Sequence, residues 1–131
     1  MRRDFPMTLA HEYSHVVRTN TIGYANNLLD SIIDEGIACY VEHLESPRTL
    51  IPYTQKIHGE RKLWNRARKM LSRPITSGLH NEWFFGSGSL PEWIGYRLGF
   101  LIVREYMLRN KIGLHQLVRM SSRDVLKRSG Y

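Results

Sequence analysis

The sequence predicts a mainly α fold, on three observations. Apolar residues in the stretches 28–45 and 90–110 recur every three or four positions, the period of a helix packed along one side. Prolines and Gly/Ser-rich stretches fall between such segments or at their starts, where a helix tolerates them. No two alternating apolar–polar runs are joined by a tight turn, so no strand pair is expected.

The first helix is expected to start near Pro6, a favourable first-turn residue with Asp4 as a possible cap, and to run to about Arg18. The polar turn "TNTIGYANN" follows. "LLDSIIDEGIACYVEHLE" makes the second helix, residues 28–45, stopped by Pro47. The third is expected from about Thr54 to Ser72, ended by Pro74. In it Leu63, Ala67, Met70 and Leu71 form an apolar face, and Arg61, Lys62, Arg66, Arg68, Lys69 and Arg73 a solvated one. Residues 74–90, rich in Gly and Ser, read as a loop with aromatic anchors. Ser89 and Glu92 then stand at capping-box spacing before a largely buried helix. Within it Gly95 and Gly99 cost helix propensity unless a neighbouring backbone packs closely there. The remainder predicts two short helices, the last capped by Ser121 or Ser122.

With 131 residues the chain is long enough for one domain with a core and too short for two. Its 42% hydrophobic and 24% charged content is that of a soluble globular protein. There is no apolar run long enough for a membrane span or a secretory leader, so a cytoplasmic location and no membrane partner are expected. The single cysteine, Cys39, excludes an internal disulfide and a multi-cysteine zinc site, and reads as a small buried hydrophobe. A net charge of +7 favours acidic partners, but the basic residues are scattered without a nucleic-acid-binding signature. No nucleic-acid partner is expected.

The stretch that carries chemistry is "LAHEYSHVV", residues 9–17. Residues four apart lie on one helix face, so His11 and His15 can offer both imidazoles to one ion. Glu12, one step further round, can reach a water on that ion without ligating it. A catalytic zinc ordinarily takes a third protein ligand. Glu35, on the expected second helix, is the candidate, and Gly36 beside it removes a side chain where the first helix and the metal approach. Glu42, seven residues on, faces similarly and stays the alternative ligand. Asp34 reads as a solvent-facing carboxylate or a contact behind the ligands. His43, His58 and His115 have no companion at ligand spacing.

"HEYSH" followed by "DEGIA" resembles the gluzincin group of zinc peptidases, which combine HExxH with a downstream glutamate on a second helix. More narrowly, "LAHEYSHVVR", "LLDSIIDEGIACYVE" and "LPEWIGYRLGFLIVREYM" together resemble a bacterial family of predicted zinc-dependent proteases, over residues 8 to about 110. The resemblance implies a zincin-like helical core that holds one Zn²⁺ per chain through His11, His15 and Glu35. It also implies Glu12 as general base and a peptide or protein as substrate. An oxyanion donor is implied as well: Tyr96, in "EWIGYRLG", is the first choice and His80, in "GLHNEWFF", its competitor. The chain departs from the pattern at its front. Gluzincins place a small β-sheet before the HExxH helix, and only ten residues precede His11. Most of that sheet is therefore expected to be missing, leaving truncation, a misassigned start or a pared-down relative as explanations. Apolar surface on the first two helices should then lie bare. Zinc-dependent peptide hydrolysis is the expected function; a binding module retaining the metal as a structural staple is the alternative.

Overall fold

A computed structural model of the chain describes residues 5–46, 53 and 56–131. The described residues form seven α-helices and no strand; one isolated antiparallel bridge joins Asn27 to Pro74. The mainly α expectation holds. The expected cap Asp4, the stop at Pro47 and the helix start at Thr54 lie outside the described residues.

Helix α1, Phe5–Thr21, and α2, Leu28–Glu45, run antiparallel, since Arg18 meets Asp34 while His11, one to two turns earlier, reaches Glu35 and Glu42. Asn27 caps α2 by accepting from the Asp30 backbone N–H at 2.8 Å. The start of α2 is further tied down by Leu28 N–H to the Arg73 carbonyl and Ile75 N–H to the Asn26 carbonyl. Helix α2 is central. Its other side packs on α5, Ile94–Arg109, where Gly36 and Gly99 bring the two backbones together. A Cβ on Gly99 would fall against the Ile32 carbonyl oxygen and the Gly36 backbone, so the missing side chains here let the helices touch. This corrects the role expected of Gly36. Its bare face meets α5, while Glu35, about 100° round the helix, faces α1. Gly95 instead sits beneath the Phe84 ring.

Helix α5 is largely buried, as its sequence demands: Ile94, Leu98, Phe100, Leu101, Ile102, Val103 and Tyr106 join the core with Ile32, Ile33 and Ile37 of α2. Ser89 does not cap it. The chain turns through Trp93 at φ 61° straight into the first helical turn, and Ser89 Oγ accepts instead from Arg66 at 3.2 Å. Helix α3 is shorter than expected, Glu60–Arg68: Gly59 ahead of it adopts a left-handed φ of 68°, and residues 69–72 turn rather than continue the helix. Its arginines and lysines are solvated, as expected.

The middle of the stretch expected to be a loop, residues 77–85, is helical. Thr76 caps α4, Ser77–His80, by accepting from Leu79 N–H at 3.1 Å, and a π-helical turn, Asn81–Phe85, continues it. Burial of Trp83 and Phe84 against the core holds this segment, and Gly86 at φ 75° ends it. The short helices α6, Leu114–Leu117, and α7, Ser122–Ser129, follow, with Ser121 capping α7 through Asp124 N–H. No described helix is long and apolar enough to cross a membrane.

Candidate metal centre

Helix α1 is amphipathic in the unusual sense. Its buried stripe is Met7, His11, Ser14 and Arg18, mostly polar, while its large apolar residues face outward. Phe5 is 76%, Leu9 56%, Tyr13 66% and Val16 55% exposed. Burying imidazole and guanidinium groups costs free energy unless each is paired, and α2 supplies the partners.

His11 and His15, one turn apart on α1, point at Glu35 on α2. His11 Nε2 lies 3.3 Å from Glu35 Oε2, His15 Nε2 lies 3.3 Å from the same oxygen, and the two Nε2 atoms are 3.3 Å apart. Three donor atoms thus form a near-equilateral triangle. Ligands about 2.0–2.1 Å from a tetrahedral zinc are separated by about 3.3–3.4 Å, so the triangle matches one face of such a site. The chemistry matches too. Two imidazole nitrogens and a carboxylate oxygen converge on one another, and among the described residues Glu35 Oε2 has no hydrogen-bond partner. Burial disfavours the charged form of Glu35, but His11 and His15 outweigh it and hold its carboxyl down at about 2. Burial likewise disfavours charged His11, and contacts with Cys39, Glu35 and Glu42 overcome it to hold the imidazole up at about 12. The cluster is built to attract positive charge; a proton satisfies it when nothing larger does.

The match to a family follows the geometry. A family model described as Predicted Zn-dependent protease (DUF2268) matches residues 2–127. The chain belongs to this family. It is also 30% identical over 110 residues to the Uncharacterized protein YjaZ of Bacillus subtilis (strain 168), an alignment covering 79% of this chain and 42% of that protein. The chain therefore spans less than half of that relative's length. No solved structure matches the chain.

The other expected site residues divide. Glu12 is exposed on α1, one residue past His11, and does not line the cavity beside the triad. Beside the triad a cavity of about 320 Å³ is lined by His15, Glu35, Asp34, Thr19, Tyr24 and His80, among others. His80 is held there by stacking on Phe84 at 4.7 Å and by an edge contact with Phe85 at 5.3 Å. Tyr96 is not among the lining residues. It stacks on Tyr53 at 4.8 Å and meets the edge of Phe84 at 5.1 Å, within an aromatic cluster on the core. Glu42, the alternative ligand, does not join the His11–His15 triangle: its Oε2 lies 3.7 Å from His11 Nδ1, at the opposite edge of the imidazole, where it groups with His11 and Cys39 as a second set of donors able to hold an ion. Cys39 is buried, as expected, and burial pushes its thiol up to about 11 against the lowering contact with His11.

One residue of the centre escaped the sequence reading. Arg18 is 1% exposed, donates to Asp34 Oδ1 at 2.6 Å and to the Met120 carbonyl at 2.7 Å, and so ties α1 to α2 and to the chain entering α7. Asp34 precedes Glu35 and Arg18 follows His15 by one turn, so this ion pair braces the triad from one side. A signal was present: Arg18 continues the Met7–His11–Ser14 stripe at helical spacing.

Proposed function

We propose that this chain carries the metal centre of a zinc-dependent peptidase of the gluzincin type, with His11, His15 and Glu35 as ligands. The observation that carries the reading is the triangle of donor atoms 3.3 Å apart on two antiparallel helices. Zinc held there supplies Lewis acidity, which brings the pKa of water to about 7 and polarises a carbonyl. The protein's own residues do the rest. Glu12 takes the proton of the attacking water on its exposed carboxylate and returns it to the departing amine. The cavity beside His15 and Glu35 receives the substrate backbone around the scissile bond. His80 on its wall donates a hydrogen bond to the oxygen that gains charge as the carbonyl is attacked, and is favoured over Tyr96 because it lines that cavity. The substrate is a peptide or an unfolded protein segment.

Two measurements test this. Protein purified without added metal should contain one zinc per chain, and His15→Ala should lose it. Glu12→Gln should keep the zinc and the fold while lowering hydrolysis of a generic unfolded substrate by about 10²–10⁴-fold, the usual worth of a positioned general base. Wild-type protein that neither carries nor takes up zinc would refute the reading. Zinc retention with no chelator-sensitive hydrolysis would instead favour a structural metal in a non-catalytic module.

A further inference from the structure

Both edges of the His11 ring are committed. Nε2 belongs to the triad, whereas Nδ1 points away from it into the α1–α2 interface, is inaccessible to solvent and has no hydrogen-bond partner among the described residues. What faces it is Glu42 Oε2 at 3.7 Å, on a side chain that is 0% exposed. Glu35, Cys39 and Glu42 fall at i, i+4 and i+7 on α2, one stripe turned toward α1. A carboxylate so deeply buried is costly to keep unless neighbouring donors or cations satisfy it, and the His11 ring is one such neighbour.

We propose that Glu42 is the positioning residue of the metal centre: it accepts the Nδ1–H of His11 and thereby fixes the tautomer that leaves the Nε2 lone pair free for the ion. The inference rests on the zinc reading above and adds to it the reason why His11 binds as a neutral ligand in one orientation. A neutral imidazole carries one N–H, and with that proton on Nε2 the ring would turn a donor, not a lone pair, toward Glu35 and His15. An acceptor at Nδ1 removes that alternative and strengthens the ring as a donor to metal. The proposed role requires the Nδ1–Glu42 separation, 3.7 Å here, to close to about 2.8–3.0 Å when Nε2 is engaged. Cys39 shares the same pocket, and His11, Cys39 and Glu42 have donor atoms within 4.8 Å of one another. A second ion there would have to share His11 through its other nitrogen, among three groups that are all buried. The positioning role requires no such sharing.

The test measures zinc affinity of the full chain by competition with a chromophoric chelator, for wild type, Glu42→Gln, Glu42→Met and Cys39→Ala. Glu42→Met removes the acceptor at similar volume and should weaken zinc binding by about 10–100-fold. Glu42→Gln keeps a neutral carbonyl acceptor and should fall in between, and Cys39→Ala should stay within about threefold of wild type. Cobalt(II) in place of zinc should give the same visible spectrum in Glu42→Gln as in wild type, because the ligands are unchanged. In the zinc-loaded wild type, ¹⁵N-detected NMR of the histidine side chains should find the His11 proton on Nδ1. A merely structural Glu42 would instead lower the thermal midpoint of the metal-free protein and leave affinity alone. Wild-type affinity in both Glu42 variants, or a His11 proton on Nε2 in the zinc form, overturns the proposal while the zinc centre stands. Wild-type protein that binds no zinc at all overturns the centre and this role together.

Discussion

Replacing Arg18 by methionine tests whether the brace behind the triad holds the first helix in place. The substitution keeps the length of the aliphatic stem and deletes the guanidinium. In the structure that group donates to Asp34 at 2.6 Å and to the Met120 carbonyl at 2.7 Å, with longer contacts of 3.4 Å to the Val118 carbonyl and Ser122 Oγ. Its side chain is 2% exposed and that of Asp34 18%. Breaking a buried ion pair by removing one partner costs about 3–5 kcal/mol, because the other charge stays behind uncompensated. Burial already raises the Asp34 carboxyl above its usual range, against the lowering effect of Arg18. Without Arg18 it can escape the penalty only by taking a proton. A net loss of about 4 kcal/mol is expected once the non-additivity of shared contacts is allowed for. At about 3–5 °C per kcal/mol for a chain of this size, the melting midpoint should fall by about 12–20 °C.

The assay is urea and thermal unfolding in chelator, so that bound zinc does not add its own linkage to the difference. Arg66→Met is the internal control. Arg66 meets Glu82 at 2.9 Å, a comparable distance, but the two side chains are 44% and 29% exposed. An exposed pair of this kind is worth about 0–1 kcal/mol. A double variant, Arg18→Met with Asp34→Leu, should recover part of the loss by removing the stranded carboxylate. If Arg18→Met costs no more than Arg66→Met, the ion pair is not what holds α1 to α2.

Gly99→Ala should destabilise by at least about 1–3 kcal/mol, since its methyl meets the Ile32 carbonyl and the Gly36 backbone, neither of which can move aside. Gly95→Ala meets only the Phe84 ring, at 2.7 Å, and should cost less; equal losses in urea melts would argue against a backbone contact at Gly99. Zinc uptake by stripped protein should release about one proton near pH 7. His11, held up at about 12 by Cys39, Glu35 and Glu42 against its burial, is protonated there and must be neutral to ligate. Apparent affinity should therefore rise about tenfold per pH unit, and calorimetry giving the same heat in buffers of different ionisation enthalpy would contradict this. The outward stripe Phe5, Leu9, Tyr13 and Val16 should drive concentration-dependent self-association, which Leu9→Lys with Val16→Lys abolishes. Sedimentation of a wild-type monomer at high concentration would count against it.

What the sequence disclosed and what it withheld follow from how local each determinant is. Helix α2 was legible to the residue, Leu28–Glu45, because Asn27 caps it and its apolar period is uninterrupted. The His11–His15–Glu35 grouping was legible because it needs only a four-residue spacing and an antiparallel return. The stretch 74–90 reads as a loop, yet residues 77–85 within it are helical. Glycine and serine lower local helix propensity, and what overrides them is burial of Trp83 and Phe84, a tertiary effect. The start of α5 was misread for a related reason: the positive φ of Trp93 has no signature in a side chain that ordinarily avoids it. The part of Gly36 was misread because its partner, Gly99, lies 63 positions away, and spacing alone does not say which helix faces a glycine. Bare apolar surface was expected on both of the first two helices. It is found on α1, while α2 leaves only Leu44 well exposed among its large apolar residues.

The inverted polarity of α1 joins these observations. A helix that contributed chiefly to stability would bury Phe5, Leu9, Tyr13 and Val16 and leave its histidines in water. This one does the reverse, and the cost of burying His11 and Arg18 is met by carboxylates of α2 rather than by apolar contact. Local preference and tertiary placement conflict where function requires a residue that stability alone would not choose. The conflict here is confined to α1 and the α2 stripe from Asp34 to Glu42, while the α2–α5 side is an ordinary apolar interface closed on two glycines. Helices α2 and α5 pack into an apolar floor, and α1 lies along α2 with its donor atoms inward. Its grip on that floor depends on two ionic clusters, the triad and the Arg18–Asp34 pair. Occupying the first with a cation should therefore tighten the whole helix, so zinc should protect the α1 amides from hydrogen exchange more than those of α5.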